Sequence, residues 1–208
     1  MKNFAVNIGR SVGSGGYEIG RLLAIELGWN FYDSELIKAA AVDSGISPEH
    51  FAAFDEMKSK TPSCYLECFP GNTGTMGIQN EPVVMSEESL FKINSDTMIK
   101  LAQEGNAVFI GRCSDYILRD AAICINVFCY APIDFRIKNI VENDDIDEAK
   151  AEKIISKSDK SRAAYYAKYT DKEWGAAESY HLLIDTSILG IKGSAEYLKD
   201  YVLRRVNG

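Results

Sequence analysis

Short apolar runs alternate with amphipathic stretches along most of the chain. The apolar runs predict buried strands at 3–8, 29–33, 107–111, 123–130 and 181–186. Apolar residues at helical spacing predict a helix that ends at Gly28, and further helices over 34–42, from Ser47, over 86–105, from Pro132, over 146–169 and around Leu198. Strands that alternate with helices in this way predict an α/β fold, in which a mainly parallel sheet is covered by helices on both faces.

Two stretches depart from this alternation. The segment 58–84 contains three prolines and three glycines but few periodic apolar residues, which predicts a loop-rich insertion. The segment 143–180 is strongly charged along most of its length. The chain of 208 residues is therefore predicted to form a single domain, with these two segments as its moving parts.

Composition narrows the functional classes. The 23 basic and 30 acidic residues give a net charge of -7, which argues against the broad basic surface of a nucleic-acid binder or an anionic-membrane binder. Two histidines far apart, His50 and His181, argue against a multi-histidine zinc site or a histidine-based triad. Five cysteines without paired spacing, and no signal peptide or long apolar run, predict reduced thiols and a cytoplasmic location.

The most informative local motif is GRSVGSGGYEIG at 9–20, between the first predicted strand and the first predicted helix. Glycines there let backbone N–H groups converge, and the helix start adds partial positive charge, so the loop can hold a phosphate. The phosphate-loop pattern GxxxxGK[ST] is only partly met, because Arg10 stands at the first glycine, Gly16 at the lysine and Tyr17 at the hydroxyl residue. Arg10 can supply the cation that the lysine would have given. A tight turn that binds nothing remains the alternative for this segment alone.

A second motif, IGRCSDYILRD at 110–120, follows the third predicted strand. In an open parallel sheet the ligand crevice lies at the carboxyl ends of the strands, so Arg112 is expected at the same edge as the glycine-rich loop. Farther on, the aromatic residues Tyr165, Tyr166, Tyr169 and Trp174 lie near the end of a charged helix, where they either pack or stack on a base.

Together with IG-x-LL-x-IELG, FYDSELI and KSDKSRAAYYAKYT, these motifs resemble the cytidylate kinase-like family of the P-loop nucleoside monophosphate kinase superfamily. The resemblance implies a three-layer P-loop kinase fold with a monophosphate-binding region at about 34–90 and a helical lid at about 143–180. It further implies ATP and Mg²⁺ as cofactors and a small phosphorylated acceptor, such as a nucleoside monophosphate.

The resemblance also implies a role for individual residues. The phosphates of ATP would be bound by Gly13, Ser14, Gly15, Gly16 and Tyr17. The acceptor would be bound by Asp33, Ser34, Arg112 and Arg136. Catalysis would fall to Arg10, Arg112 and Arg162, the lid would contribute Lys157, Asp159, Lys160 and Arg162, and magnesium would use Asp33 and Asp115.

This sequence departs from the family pattern at positions that matter for chemistry. Ile110 and Cys113 stand where true cytidylate kinases carry the two aspartates of a DGRD turn, and Gly16 removes the loop lysine. Phosphoryl transfer depends on positioning and charge neutralisation, so these losses bear directly on rate. A second hypothesis therefore stays open: a nucleotide- or anion-binding module that keeps the kinase fold without catalysis. The identity of the acceptor and the oligomeric state are also left open.

Overall fold

The computed structural model describes residues 2–43, 45 and 86–208. The helix predicted from Ser47 and the insertion predicted at 58–84 lie outside these residues. The described strands are β1 (Phe4–Arg10), β2 (Asn30–Tyr32), β3 (Ala107–Ile110), β4 (Ile123–Tyr130) and β5 (Leu182–Asp185). The described α-helices are α1 (Gly16–Leu27), α2 (Ser34–Asp43), α3 (Glu87–Glu104), α4 (Ser114–Ile117), α5 (Ile133–Asp144), α6 (Glu148–Thr170) and α7 (Thr186–Asn207).

The strands form one five-stranded parallel sheet in the order β2-β3-β1-β4-β5. In its register Val6 of β1 lies between Val108 of β3 and Ile125 of β4. Since every pairing is parallel, the carboxyl ends of the strands meet at one edge, and the loops that follow them are neighbours there. The parallel sheet expected from the alternating pattern is confirmed.

Side chains that alternate along the strands build a core on each face of the sheet. On one face α1 packs against β1 and β3, while α7 packs against α1, β4 and β5, and Ile8, Leu23 and Leu198 are fully buried there. On the other face α3 and α4 cover a cluster that includes Met98 and Phe109, also fully buried. Helices therefore cover both faces, as the three-layer prediction requires.

Local capping chemistry explains where several elements begin and end. Gly28 ends α1 with φ of 66°, a left-handed conformation in which glycine carries no Cβ penalty. The strand predicted over 181–186 covers only Leu182–Asp185, because the Asp185 carboxylate accepts the N–H of Ser187 at 3.0 Å and so caps α7. The same helix is kinked at Gly190, whose φ of 65° and ψ of 178° are not helical.

Among the described helices, none combines the length and apolarity needed to cross a lipid bilayer.

Candidate active site

The candidate site lies at the carboxyl edge of the sheet, where β1 runs into the glycine-rich loop. Gly13 and Gly15 both have φ of 78°, and each turns the chain in a way that residues with a side chain rarely adopt. The loop ends at Gly16, the first residue of α1. Within the described residues, no acceptor takes the backbone N–H groups of Gly15, Gly16 and Tyr17. These donors, together with the partial positive charge of the helix start, form a cradle suited to an anion.

Side chains from α5 and α6 hold the middle of the loop in place. Arg136 on α5 donates from Nε to the backbone oxygen of Val12 at 2.7 Å, and its guanidinium forms an ion pair with Asp159 on α6. Asp159 in turn accepts the backbone N–H of Val12 at 2.9 Å. Arg136 and Asp159 therefore contact the backbone of the loop, and neither of them lines the two pockets at this edge.

Three further side chains bind loop carbonyls from separate helices. These contacts join Asn139 of α5 to the oxygen of Gly13 at 3.0 Å, Arg162 of α6 to that of Arg10 at 3.0 Å, and Thr186 of α7 to that of Ser14 at 2.7 Å. These contacts hold three carbonyl oxygens of the loop from neighbouring helices and so fix the conformation of its backbone.

Two neighbouring pockets open at this edge. The loop pocket, of about 130 Å³, is lined by the loop from Arg10 to Gly13, by Gly15 to Glu18 and by side chains that include Asn139 and Arg162. The tyrosine pocket, of about 30 Å³, is lined by Arg112, Asp115 and a group of aromatic residues: Tyr165, Tyr166, Trp174 and Tyr180. Arg10 and Arg162 line both pockets and lie at the boundary between them.

Arg112 enters the tyrosine pocket from a strained turn. Gly111, Arg112 and Cys113 have φ of 65°, 57° and 57° in succession, so two residues with side chains adopt the left-handed conformation. The left-handed conformation costs about 1–3 kcal/mol at each such residue, and it is retained only where the surrounding structure enforces it. The Arg112 guanidinium carbon lies 6.0 Å from the ring centre of Tyr165, within the range of a cation–π contact.

A partly buried carboxyl group, that of Asp115, lines the same pocket as Arg112. Asp115 accepts a hydrogen bond from the Tyr166 hydroxyl at 2.6 Å, which joins α4 to α6. Burial raises the pKa of Asp115 above its ordinary value, although the bond from Tyr166 opposes that shift. Burial also raises the pKa of Cys113, which favours the protonated thiol.

Tyr17 and Asp33 form a pair next to the loop pocket. The Tyr17 hydroxyl donates to Asp33 at 3.1 Å, and burial together with this carboxylate raises the pKa of Tyr17 to about 12. The other Asp33 oxygen accepts the N–H groups of Glu35 and Leu36 and so caps α2. Tyr17 therefore directs its hydroxyl to Asp33, whereas a serine or threonine at this position would keep its hydroxyl close to the loop.

One stripe of residues on α6 contacts the loop, Asp115 and α3. Asp159, Arg162, Tyr166 and Tyr169 follow one another at intervals of three or four residues, which places them on one face of the helix. Asp159 and Arg162 contact the loop, and Tyr166 contacts Asp115. Tyr169 stacks on Phe91 of α3 with ring centres 3.9 Å apart, so the last residue of the stripe contacts the N-terminal part of α3.

The structure brings together most, but not all, of the residues that the sequence selected. Arg10, Gly13, Gly15, Gly16, Tyr17 and Arg162 line the loop pocket, and Arg112 and Asp115 line the tyrosine pocket. Lys157 and Lys160 are exposed on α6, and Ser34 is buried at the start of α2. The Ser14 side chain is also buried, where its hydroxyl binds the oxygens of Ser11 and Cys129.

Sequence reasoning did not select six residues that line the loop pocket: Ser11, Val12, Glu18, Asn139, Asn143 and Ile191. Asn139 and Asn143 lie one helical turn apart on α5. Two amides at this spacing on an otherwise charged helix share one face, a signal that a search for known motifs does not detect. Ile191 follows the kink at Gly190, and no local pattern connects it to a loop about 176 residues earlier.

The oxygen ligands near the loop fit a magnesium ion that is held chiefly by phosphates. Magnesium in such sites usually takes one or two carboxylates and keeps several waters. Glu18 lines the loop pocket and Asp33 lies one hydrogen bond beyond it, whereas Asp115 lies in the tyrosine pocket. Among the described residues, no group of three or more metal-binding side chains is found.

Comparisons with known proteins identify a matching family and solved structures of similar fold. The model of the family described as "Cytidylate kinase-like family" matches residues 5–188. A crystal structure of an uncharacterized protein from Eubacterium ventriosum is similar with a TM-score of 0.68 and 22% identity, over 99% of each chain. Shikimate kinase from Bacteroides thetaiotaomicron has a TM-score of 0.53 and 11% identity, over 96% of this chain and 98% of that one. A gluconokinase from Sinorhizobium meliloti has a TM-score of 0.51 and 11% identity, over 97% and 96%. A search of the curated proteins gave no match.

Proposed function

Because the chain belongs to the cytidylate kinase-like family, we propose that it is a kinase that transfers the γ-phosphoryl group of ATP to a small anionic acceptor, such as a nucleoside monophosphate. One observation carries the proposal. The loop pocket and the tyrosine pocket are neighbours, and the two arginines Arg10 and Arg162 line both of them. A phosphoryl group that passes from one pocket to the other would travel between these two cations.

The loop pocket is proposed to bind the triphosphate of ATP. The N–H groups of Gly15, Gly16 and Tyr17, which have no acceptor among the described residues, lie at the start of α1, where the helix dipole favours negative charge. Arg162 adds a guanidinium from α6, and it is only 5% exposed. Electrostatic interactions with phosphate oxygens are strengthened when the cation is shielded from water.

The tyrosine pocket is proposed to bind the acceptor. Arg112 offers a guanidinium that can bind two oxygens of one phosphate or carboxylate group. The surrounding rings of Tyr165, Tyr166 and Trp174 suit a flat or partly apolar body. Asp33 and Ser34, at the start of α2, are proposed to complete the acceptor site, while Arg136 supports the loop through Val12.

In the transfer itself, an acceptor oxygen forms a bond to the γ-phosphorus while the bond from that phosphorus to the β-γ bridging oxygen breaks, and ADP leaves. Bound magnesium would neutralise charge on the phosphates; Glu18 and Asp33 are the residues that would hold it. Arg10 and Arg162 would stabilise the charge that spreads over the transferred group, and removal of such an arginine commonly costs about 10³–10⁵ in rate. Arg112 would hold the acceptor in line for attack.

The test is ADP release with ATP, magnesium and a panel of nucleoside monophosphates and hydroxy acids. Wild-type protein should turn over with at least one acceptor. Arg112→Ala should raise the KM for that acceptor more than the KM for ATP. Arg204→Ala, which removes an exposed arginine on α7, is the matched control and should change neither constant. Measurable ATP binding without turnover on any acceptor would refute the kinase proposal.

One observation favours a second candidate, a nucleotide-binding module without catalysis. The Tyr17 hydroxyl is bonded to Asp33, so the position that normally supplies a hydroxyl to magnesium has none to offer. In this case ATP would bind with the same affinity with and without magnesium, and no acceptor would be phosphorylated. Titration of ATP in the presence of EDTA separates the two candidates.

A further inference from the structure

Arg10 occupies the space that a side chain at position 16 would need. A Cβ built on Gly16 would lie 2.6 Å from the Cβ of Arg10 and 3.1 Å from the Cβ of Cys129. Both neighbours are the first atoms of their side chains, so they cannot rotate away, and the backbone of β1 or β4 would have to move. The φ of Gly16 lies outside the left-handed range, so close packing, and not backbone conformation, requires glycine here.

The far end of the same side chain lies against a second glycine, Gly111, whose φ of 65° also favours glycine. A Cβ built on Gly111 would lie 1.9 Å from Nη1 of Arg10. The guanidinium therefore rests on the backbone where β3 ends, close to Arg112. Arg10 runs from beneath the first residue of α1 to the boundary between the loop pocket and the tyrosine pocket, and it is only 6% exposed.

We infer that Arg10 is the phosphate-binding cation of this loop, supplied by the last residue of β1 instead of by a lysine at position 16. This inference rests on the proposed function and specifies how its nucleotide site is built. Positions 10 and 16 are then mutually exclusive: the arginine at 10 demands glycine at 16, and a lysine at 16 would demand glycine at 10. The planar guanidinium binds two oxygens of one phosphate in a fixed orientation, whereas a lysine is a flexible point charge.

Thermal unfolding tests the exclusion without any ligand. Alanine is a better helix former than glycine, so Gly16→Ala would raise Tm slightly if the space were free. With Arg10 in place we expect Gly16→Ala to lower Tm by about 5 °C, the size typical of overpacking in a domain of this length. In the Arg10→Gly background the same change should lower Tm by less than half as much. An equal loss in both backgrounds, or no loss in either, would overturn the inference.

Nucleotide binding tests the cation, with ADP and a non-hydrolysable ATP analogue as probes in calorimetry. Arg10→Gly should weaken binding by about 10–100-fold, the effect of losing charge-assisted hydrogen bonds. The double variant Arg10→Gly with Gly16→Lys should recover at least about ten-fold of this loss, since a lysine at 16 can then reach the phosphates. The matched double variant with Gly16→Ala should recover none.

The unfolding and binding experiments together distinguish this inference from the proposed function. If the lysine variant binds no tighter than the matched alanine variant while their Tm values agree, the inference is wrong, even if wild-type protein proves to be an active kinase. If the lysine variant recovers binding but wild-type protein phosphorylates no acceptor, the assignment of Arg10 stands and the kinase proposal fails.

Discussion

Asp159→Ala should destabilise both the fold and the phosphate loop, because its carboxylate serves two partners. The change leaves the N–H of Val12 without its acceptor and leaves the guanidinium of Arg136 without its carboxylate. Removing one partner of a fully buried ion pair costs about 3–5 kcal/mol. The Arg136 and Asp159 side chains retain 11% and 20% exposure, so solvent screening reduces the expected loss to about 2–3 kcal/mol.

Differential scanning calorimetry measures this loss directly. For a domain of this length, about 2–3 kcal/mol corresponds to a fall in Tm of about 4–12 °C. Asp159→Asn keeps an acceptor oxygen for Val12 and should retain part of the stability. Glu142→Ala is the control, since its pair with Lys138 is 61% and 70% exposed and should contribute less than about 1 kcal/mol. If Asp159→Ala and Glu142→Ala lower Tm equally, the reasoning about the loop is refuted.

Three further changes probe other parts of the site. In thermal unfolding, Gly13→Ala should lower Tm much more than Gly28→Ala does. Both glycines have positive φ, but only a Cβ at position 13 would meet a backbone oxygen, that of Arg136 at 2.7 Å. Equal changes in Tm would contradict this expectation. Burial raises the pKa of Asp115 above 3.8, so wild-type protein loses stability as the pH rises through the folded-state pKa. In urea titrations the stability of Asp115→Asn relative to wild type should therefore rise as the pH increases through the ordinary carboxyl pKa and above it, and a difference that does not change with pH would contradict this expectation. Thr186→Val should cost about 1–2 kcal/mol of unfolding free energy, because the hydroxyl bonds to Ser14 and Tyr130 are lost; an unchanged urea midpoint would show that these bonds contribute nothing.

Local patterns in the sequence were enough to predict the layered parallel sheet. The strand at Ala107–Ile110 and the helix at Glu87–Glu104 were predicted almost to the residue, because apolar periodicity and capping residues are local signals. The glycine-rich loop and Arg112 were placed correctly at one sheet edge, since that edge follows from the strand order of any open parallel sheet.

The sequence could not show which contacts each side chain makes at that edge. Arg136 was expected to bind the acceptor, yet its guanidinium pairs with Asp159 and supports Val12, a contact between residues far apart in the chain. The left-handed turn at Arg112 and Cys113 has no local signature, because neither residue favours that conformation. The close contact between Arg10 and Gly16 likewise depends on tertiary packing, which no motif encodes.

The stripe on α6 has a consequence for how the two pockets respond to one another. The helix is 23 residues long, and the same face touches the loop through Arg162, Asp115 through Tyr166 and α3 through Tyr169. Ligands in two neighbouring pockets that share one helix act on the same element, and linkage makes any coupling between them reciprocal. By whatever factor a nucleotide in the loop pocket changes the affinity for an acceptor, the acceptor must change the affinity for that nucleotide by the same factor.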